Sequence, residues 1–352
     1  MTTNSAINAL AAKVDREWTH IRDAAAASEQ ERLRLVKISA ACIPDDASFV
    51  AFGSLARGEF TAGSDLDWTL LVDGRADRGH PEAVRNLNRA LAVAQVRKPG
   101  PSGVFGNLAF SHPILHQIGG QDDSNRNTTQ RILLLLESEA VGAAEPHRRL
   151  VDLILDRYIN EDRGLLYTRS NARLVARVLL NDISRYWRTL TIDFLQKQGE
   201  RDDGWALRNI KLRLSRKLIF ISGLIACFSP ELHGEREAFL SEGKVAPSRF
   251  VPFLRNQLQK APLESLAEVC LRPTIRPETT LALFDTYDRF LDALNDPERR
   301  NALKRCHQDE LGKSDVFRDM SRLARRFQEG VNCLFFEDDP LLRELIITYG
   351  VF

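Results

Sequence analysis

Cysteine is scarce in this chain and never clustered. The five cysteines, Cys42, Cys227, Cys270, Cys306 and Cys333, include no close pair. That spacing excludes a CxxC zinc or redox motif and argues against a disulfide framework. Small buried apolar residues in a reducing cytosol are the expectation instead. An excess of either charge is also lacking: 49 Lys+Arg against 48 Asp+Glu leave a formal net charge of +1. No global basic field therefore draws nucleic acid, and any phosphate contact has to come from a local cluster. Nor is there a long apolar run. The most apolar stretch, LIFISGLIACF from Leu218 to Phe228, falls far short of the roughly 20 residues that span a bilayer and reads as a buried helix. The opening MTTNSAINALAAKVDREWTHIRD has no basic segment leading into an apolar core, so no signal peptide is expected. A cytoplasmic protein with no membrane partner is the reading.

What is present is an ordinary globular composition, 43% hydrophobic and 28% charged over 352 residues, enough for two domains with a sizeable core. Ile7, Leu10, Val14, Trp18 and Ile21 fall on one helical stripe, and a second helix is predicted from Ser28 to Cys42, before Pro44. The pattern then changes. SFVAF (48–52) and LDWTLLV (66–72) are short apolar runs of strand type, with Gly53, Gly58 and Gly63 punctuating the turn between them. A helix is predicted over 81–95, strands near 104–110 and 114–118, and a helix from about Thr128 to Ala140. From Pro146 onward the pattern is helical, over about 147–162, 167–198, 203–228, 262–271, 278–295, 298–308, 313–328 and 340–349, with no convincing strand. The expected fold class is α+β: a small domain with a short mixed sheet and helices over 1–145, then an all-helical domain over 146–352.

The chemistry concentrates in FGSLARGEFTAGSDLDWTLLV, Phe52 to Val72. Side chains alternate faces along a strand, so Asp65 and Asp67 share one face while Leu66, Trp68 and Leu70 pack on the other. At about 3.3 Å rise per residue their Cα atoms lie roughly 7 Å apart, close enough for both carboxylates to lean onto one Mg²⁺ or Mn²⁺, or onto two ions. Mg²⁺ takes one or two carboxylates together with substrate phosphates. Gly53 permits close backbone approach after a buried strand. Ser54 and the N–H groups of a short helical turn over SLARGEF would then face an anion. Taken separately, Gly-Ser and Asp-x-Asp are nearly uninformative. In this order, between two apolar strands, they point to a phosphate cradle facing a metal site.

GSLARGEFTAGSDLDWTLLV resembles the signature of the DNA polymerase β-like nucleotidyltransferase superfamily: Gly-Ser, a variable turn, then Asp-x-Asp. The Arg-Gly-Glu in the turn is similar to the uridylyltransferase-like branch, and TTQRILLLLESEAVGA (128–143) resembles the helix ending in Leu-Leu-Glu-Ser that closes the same domain there. The resemblance covers roughly residues 48–143. It implies that Gly53 and Ser54 bind nucleotide phosphate and that Asp65 and Asp67 bind Mg²⁺.

That superfamily usually adds a third carboxylate, from a later strand, as general base. GVFGNLAF and ILHQI carry no acid, and the nearest are Asp122 and Asp123 in IGGQDDSNRN. Either one is a catalytic candidate, or both are solvated loop acids. His112 and His116 have i, i+4 spacing, which Pro113 and a strand-like setting argue against as a metal pair. In WALRNIKLRLSRK (205–217), Arg208, Lys211 and Ser215 lie on one predicted helix face, a phosphate clamp or a solvated cationic edge. Tyr186 is a base-stacking candidate or a core aromatic, and Tyr349 is a possible acceptor hydroxyl or a packed chain end.

The expected activity is metal-dependent transfer of a nucleoside monophosphate from an NTP or dNTP to an acceptor hydroxyl, with pyrophosphate released. The acceptor would be a protein side chain or a growing oligonucleotide, the latter matching enzymes of antiphage defence. The alternative is a nucleotide-sensing regulatory protein that has lost turnover.

Overall fold

The computed structural model describes residues 5–99, 105–166, 173–200, 204–241, 244–308 and 314–350. They form two compact units of interleaved segments. One comprises Ala24–Tyr167 with Phe239–Ala261, and the other Met1–Asp23, Thr168–Ala238 and Pro262–Phe352. This division departs from a single cut after residue 145, because the helix that follows the cut packs with the sheet and the first helix packs with the later helical segments.

The sheet unit opens with the C-terminal part of α2 (Thr19–Ser39), then β1 (Ala47–Phe52), β2 (Asp67–Val72), α3 (Gly79–Val93), β3 (Asn107–Phe110), α4 (Ser111–His116), α5 (Asn125–Leu136), β4 (Ser138–Val141) and α6 (Glu145–Glu161). Strand order is β3-β2-β1-β4. β1 pairs antiparallel with β2, with Phe52 opposite Asp67, and antiparallel with β4, with Phe52 opposite Ser138, while β2 and β3 run parallel. One face of the sheet buries Phe49, Ala51, Trp68, Leu70 and Val72 with Leu35 of α2 and Leu87 and Leu91 of α3. Phe49 meets Trp68 edge-on, with ring centroids 5.6 Å apart. Thr69 and Leu71 are buried on the other face, where a cavity of about 20 Å³ lies among Phe52, Phe105, Ile114 and Leu133. Burial on both faces explains why β1 and β2 are continuous apolar runs.

Two local expectations fail for identifiable reasons. ILHQI is helix and turn, not strand: α4 starts at Ser111, carries Pro113 in its first turn, where a missing N–H forfeits no intrahelical bond, and ends at His116, leaving Gln117 and Ile118 in a turn. The leucine helix stops at Leu136, and Ser138–Val141 becomes β4, which supplies ladder partners to an edge of β1 that would otherwise be buried with unpaired amides. A short hairpin, Leu240–Ser241 with Lys244–Val245, and a helix, Pro247–Leu258, complete the unit, and neither is in the sequence reading.

In the helical unit, α1 (Ala6–Lys13) packs on the helix Pro262–Cys270, with Lys13 Nζ donating to the carbonyls of Cys270 and Leu271. The helix predicted over 167–198 runs from Arg177 to Glu200, and its first residues, 167–172, lie outside the described set. The helix Pro277–Asn295 packs on Asp315–Asn332, where a Cβ on Gly330 would stand 2.9 Å from Leu283 Cγ. Only glycine allows that approach. Among the described residues no helix is long and apolar enough to cross a membrane.

Candidate active site

β1 ends at Phe52, and the chain turns at Gly53 with φ +69°, a left-handed conformation that glycine adopts without Cβ strain. Arg57 N–H then donates to Gly53 C=O at 3.1 Å and Glu59 N–H to Ser54 C=O at 2.8 Å. Leu55 anchors the turn by burying in the core, and Gly58, at φ +72°, ends it. The N–H groups of Ser54, Leu55 and Ala56 find no acceptor among the described residues. They are the kind of donors that an incoming anion satisfies.

Asp67 opens β2 directly opposite Phe52. A Cβ built on Gly53 would stand 3.3 Å from Asp67 Oδ2, so the carboxylate lies against the backbone of the turn. Asp65 is exposed and sits in the loop just before the strand, held by a turn in which Thr61 N–H donates to Ser64 Oγ. The ladder therefore includes Asp67 but not Asp65, one residue pair shorter than the sequence pattern implies. Buried Leu66 separates the two acids.

Beneath the turn lies a buried ionic cluster that sequence reasoning missed. Arg57 Nε donates to Glu59 Oε2 at 2.9 Å, and its Nη1 donates to Glu137. All three side chains are nearly enclosed, at 10%, 2% and 9% exposure. Glu137 immediately precedes Ser138, the partner of Phe52, just as Gly53 immediately follows Phe52. Arg57 thus ties the turn after β1 to the start of β4. Arg57 and Glu59 lie in the Arg-Gly-Glu of the turn and Glu137 in Leu-Glu-Ser, but nothing in either stretch says that the fold brings them together.

The loop acids part company. Asp123 is buried and takes a bidentate bond from Arg131, at 3.0 and 2.8 Å, with Gly119 N–H on Oδ2. Arg131 also donates from Nε to Tyr158 Oη at 3.1 Å. Burial alone would lower the Arg131 pKa, but its bonds to Asp123 and Tyr158 outweigh that and hold it above the ordinary value. Both oxygens of Asp123 are committed to the core, which corrects its candidacy as a mobile base. Asp122 is exposed. His112 and His116 share helix α4, with ring centroids 4.3 Å apart. No group of three or more His, Cys, Asp or Glu residues is arranged to hold a metal among the described residues.

In the helical unit, Arg208 and Lys211 lie on a short helix, Trp205–Lys211, that passes into a π-helical turn, Leu212–Arg216. The wider turn breaks the α period, so the i, i+7 relation of Arg208 to Ser215 does not give a shared face. Ser215 is buried and its hydroxyl donates to Lys211 C=O. Tyr186 is buried as well, which fits a core aromatic rather than a stacking platform. Tyr349 is partly exposed, with the Arg177 guanidinium 5.3 Å from its ring centroid; Val351 and Phe352 lie outside the described residues.

Residues 34–102 match the family model of the nucleotidyltransferase domain. The chain carries a nucleotidyltransferase domain. The match is consistent with the polymerase β-like superfamily and includes Gly53, Ser54, Asp65 and Asp67, but it ends before β3 and includes none of the later helical segments. No curated protein matches the chain. The domain supports a nucleotidyltransferase enzyme acting on a nucleotide substrate.

Proposed function

We propose that this protein transfers a nucleoside monophosphate from an NTP or dNTP to an acceptor hydroxyl with the help of Mg²⁺ or Mn²⁺. The observation that carries the reading is the Asp67 carboxylate lying against Gly53, at the mouth of a turn with unspent N–H groups. Ser54 Oγ and those N–H groups orient the phosphates. Asp65 and Asp67 provide hard oxygen donors of the number Mg²⁺ accepts alongside a triphosphate, so the residues fit the ion. When bound, the metal would offset the charge that builds on the triphosphate during in-line displacement. Asp122 is the remaining loop acid able to take the acceptor proton. A protein side chain or an oligonucleotide end would receive the nucleotide. The oligonucleotide case would suit antiphage defence.

The second reading, a nucleotide sensor with impaired turnover, is favoured by one observation: Asp123 is locked to Arg131, β3 bears no acid, and Glu139 of β4 is paired with Arg32. Purified protein incubated with each labelled NTP and dNTP, with Mg²⁺ or Mn²⁺, separates the two. Labelled protein or oligonucleotide with pyrophosphate release supports transfer. Tight nucleotide binding with no product under any condition supports sensing.

A further inference from the structure

A second group of cations lies in the helical unit, just beyond Arg208 and Lys211 in the chain but made of different residues. Arg213, in the π-helical turn, and Lys217, four residues later at the start of the helix Lys217–Leu232, face the helix Asp315–Asn332. Arg213 donates from Nη1 to Ser321 Oγ and from Nη2 to Ser321 C=O, both at 3.4 Å, while Lys217 Nζ donates to Gln328 Oε1. Ser321, Arg325 and Gln328 follow at i, i+4 and i+7 on one face of that helix.

None of Arg213, Lys217 and Arg325 has an ion-pair partner among the described residues. On the facing helix Asp315 pairs with Arg318 and Asp319 with Arg322, while Glu329, one turn beyond Arg325, makes no ion pair with it. Burial depresses the pKa of Lys217, and the neighbouring Arg213 lowers it further. Arg213 is lowered in the same way, by burial and by Arg325. Three like charges gathered over neutral acceptors repel one another with no opposite charge paired to them. Such a grouping beside a cleft marks a site for the missing counter-charge. A cleft of about 540 Å³ runs along the facing helix and reaches the cluster at Ser321 and Arg325; Phe317 and the ion-paired Asp315–Arg318 and Asp319–Arg322 line the rest of it.

We propose that Arg213, Lys217 and Arg325 form a phosphate-binding site, in which the two guanidinium groups grip the phosphate oxygens, Lys217 adds a point charge and Ser321 Oγ adds a neutral donor. Planar guanidinium forks bind phosphate oxygens in bidentate fashion, and the cleft at Ser321 and Arg325 has room for the rest of the ligand. The phosphate could be that of a free polyphosphate anion or the terminal phosphate of an oligonucleotide, and the site chemistry is shared. This inference does not depend on the role assigned to Gly53, Ser54, Asp65 or Asp67.

The test is calorimetric titration of the full chain in EDTA and low salt, with pyrophosphate in one arm and a 5′-phosphorylated trinucleotide in the other. Wild type, R213Q/K217Q, R325Q and S54A are compared. Binding of at least one probe is expected, weakened tenfold or more in R213Q/K217Q and severalfold in R325Q; the tighter probe identifies the source. R325Q, altered at an exposed position, keeps the test valid if the double variant does not fold. Absence of heat with both probes in wild type overturns the site. So does unweakened binding in R325Q together with either full binding or loss of fold in R213Q/K217Q. Loss that follows S54A instead places the anion at the turn after β1 and equally overturns it.

Discussion

Replacing Gly53 with alanine perturbs backbone and carboxylate together, and the structure allows the two to be separated. At φ +69° an L-residue with a Cβ carries left-handed strain of about 1–2 kcal/mol. The new methyl would also stand 3.3 Å from Asp67 Oδ2, so the carboxylate has to give by a few tenths of an ångström. Gly58 supplies the control, because it has nearly the same conformation, φ +72°, with nothing within 4 Å of a built Cβ. Both Gly53→Ala and Gly58→Ala should therefore lose stability by a similar ~1–2 kcal/mol, lowering the melting temperature by a few degrees. Only Gly53→Ala should displace Asp67. Because catalytic groups tolerate little misplacement, its turnover should fall by roughly tenfold or more beyond any loss in Gly58→Ala. Differential scanning calorimetry and continuous pyrophosphate detection on the two variants provide the comparison. Equal losses of turnover in both, or full turnover in Gly53→Ala, would refute the claim that contact with Asp67 positions the site.

Asp123→Asn should destabilise the sheet unit by about 3–5 kcal/mol in urea unfolding, because it leaves Arg131 buried without its counter-charge. Asp122→Asn, at an exposed position, should stay within about 0.5 kcal/mol. His147 is buried with Nε2 2.7 Å from Ser138 Oγ, and burial pushes its pKa down from 6.5 to about 4. The unfolded chain therefore binds more protons between those values, and stability present above pH 6.5 is lost as pH falls toward 4, by about 3 kcal/mol in full. Unfolding free energies measured from pH 7 to pH 4 should show that slope, and His147→Gln should flatten it.

Much of the sheet was readable because burial on both faces leaves unbroken apolar runs, as in SFVAF and LDWTLLV, and because Gly53 and Gly58 mark the turn by conformational need. Ser138–Val141 was not. Its strand character comes from the edge of β1, ninety residues earlier in the chain, and its own letters continue a leucine-rich helix. Ser111–His116 misled through Pro113, which breaks a helix interior but suits a first turn. The ion pairs were hidden for a related reason: nothing local in Arg57, Glu137, Asp123 or Arg131 says which opposite charge the fold will bring to it. The π-helical turn at Leu212–Arg216 likewise cannot be read from a heptad-like pattern, yet it decides which cations share a face.

The central claim is that Asp65 and Asp67 carry the metal-dependent step at the turn that begins with Gly53 and Ser54. Pyrophosphate release, followed for wild type and for D65N/D67N with the nucleotide and metal that wild type uses best, tests it most directly. The account predicts release by wild type and none above background by the double variant, whose circular dichroism and melting temperature stay close to wild type. Undiminished release by the folded double variant would contradict it.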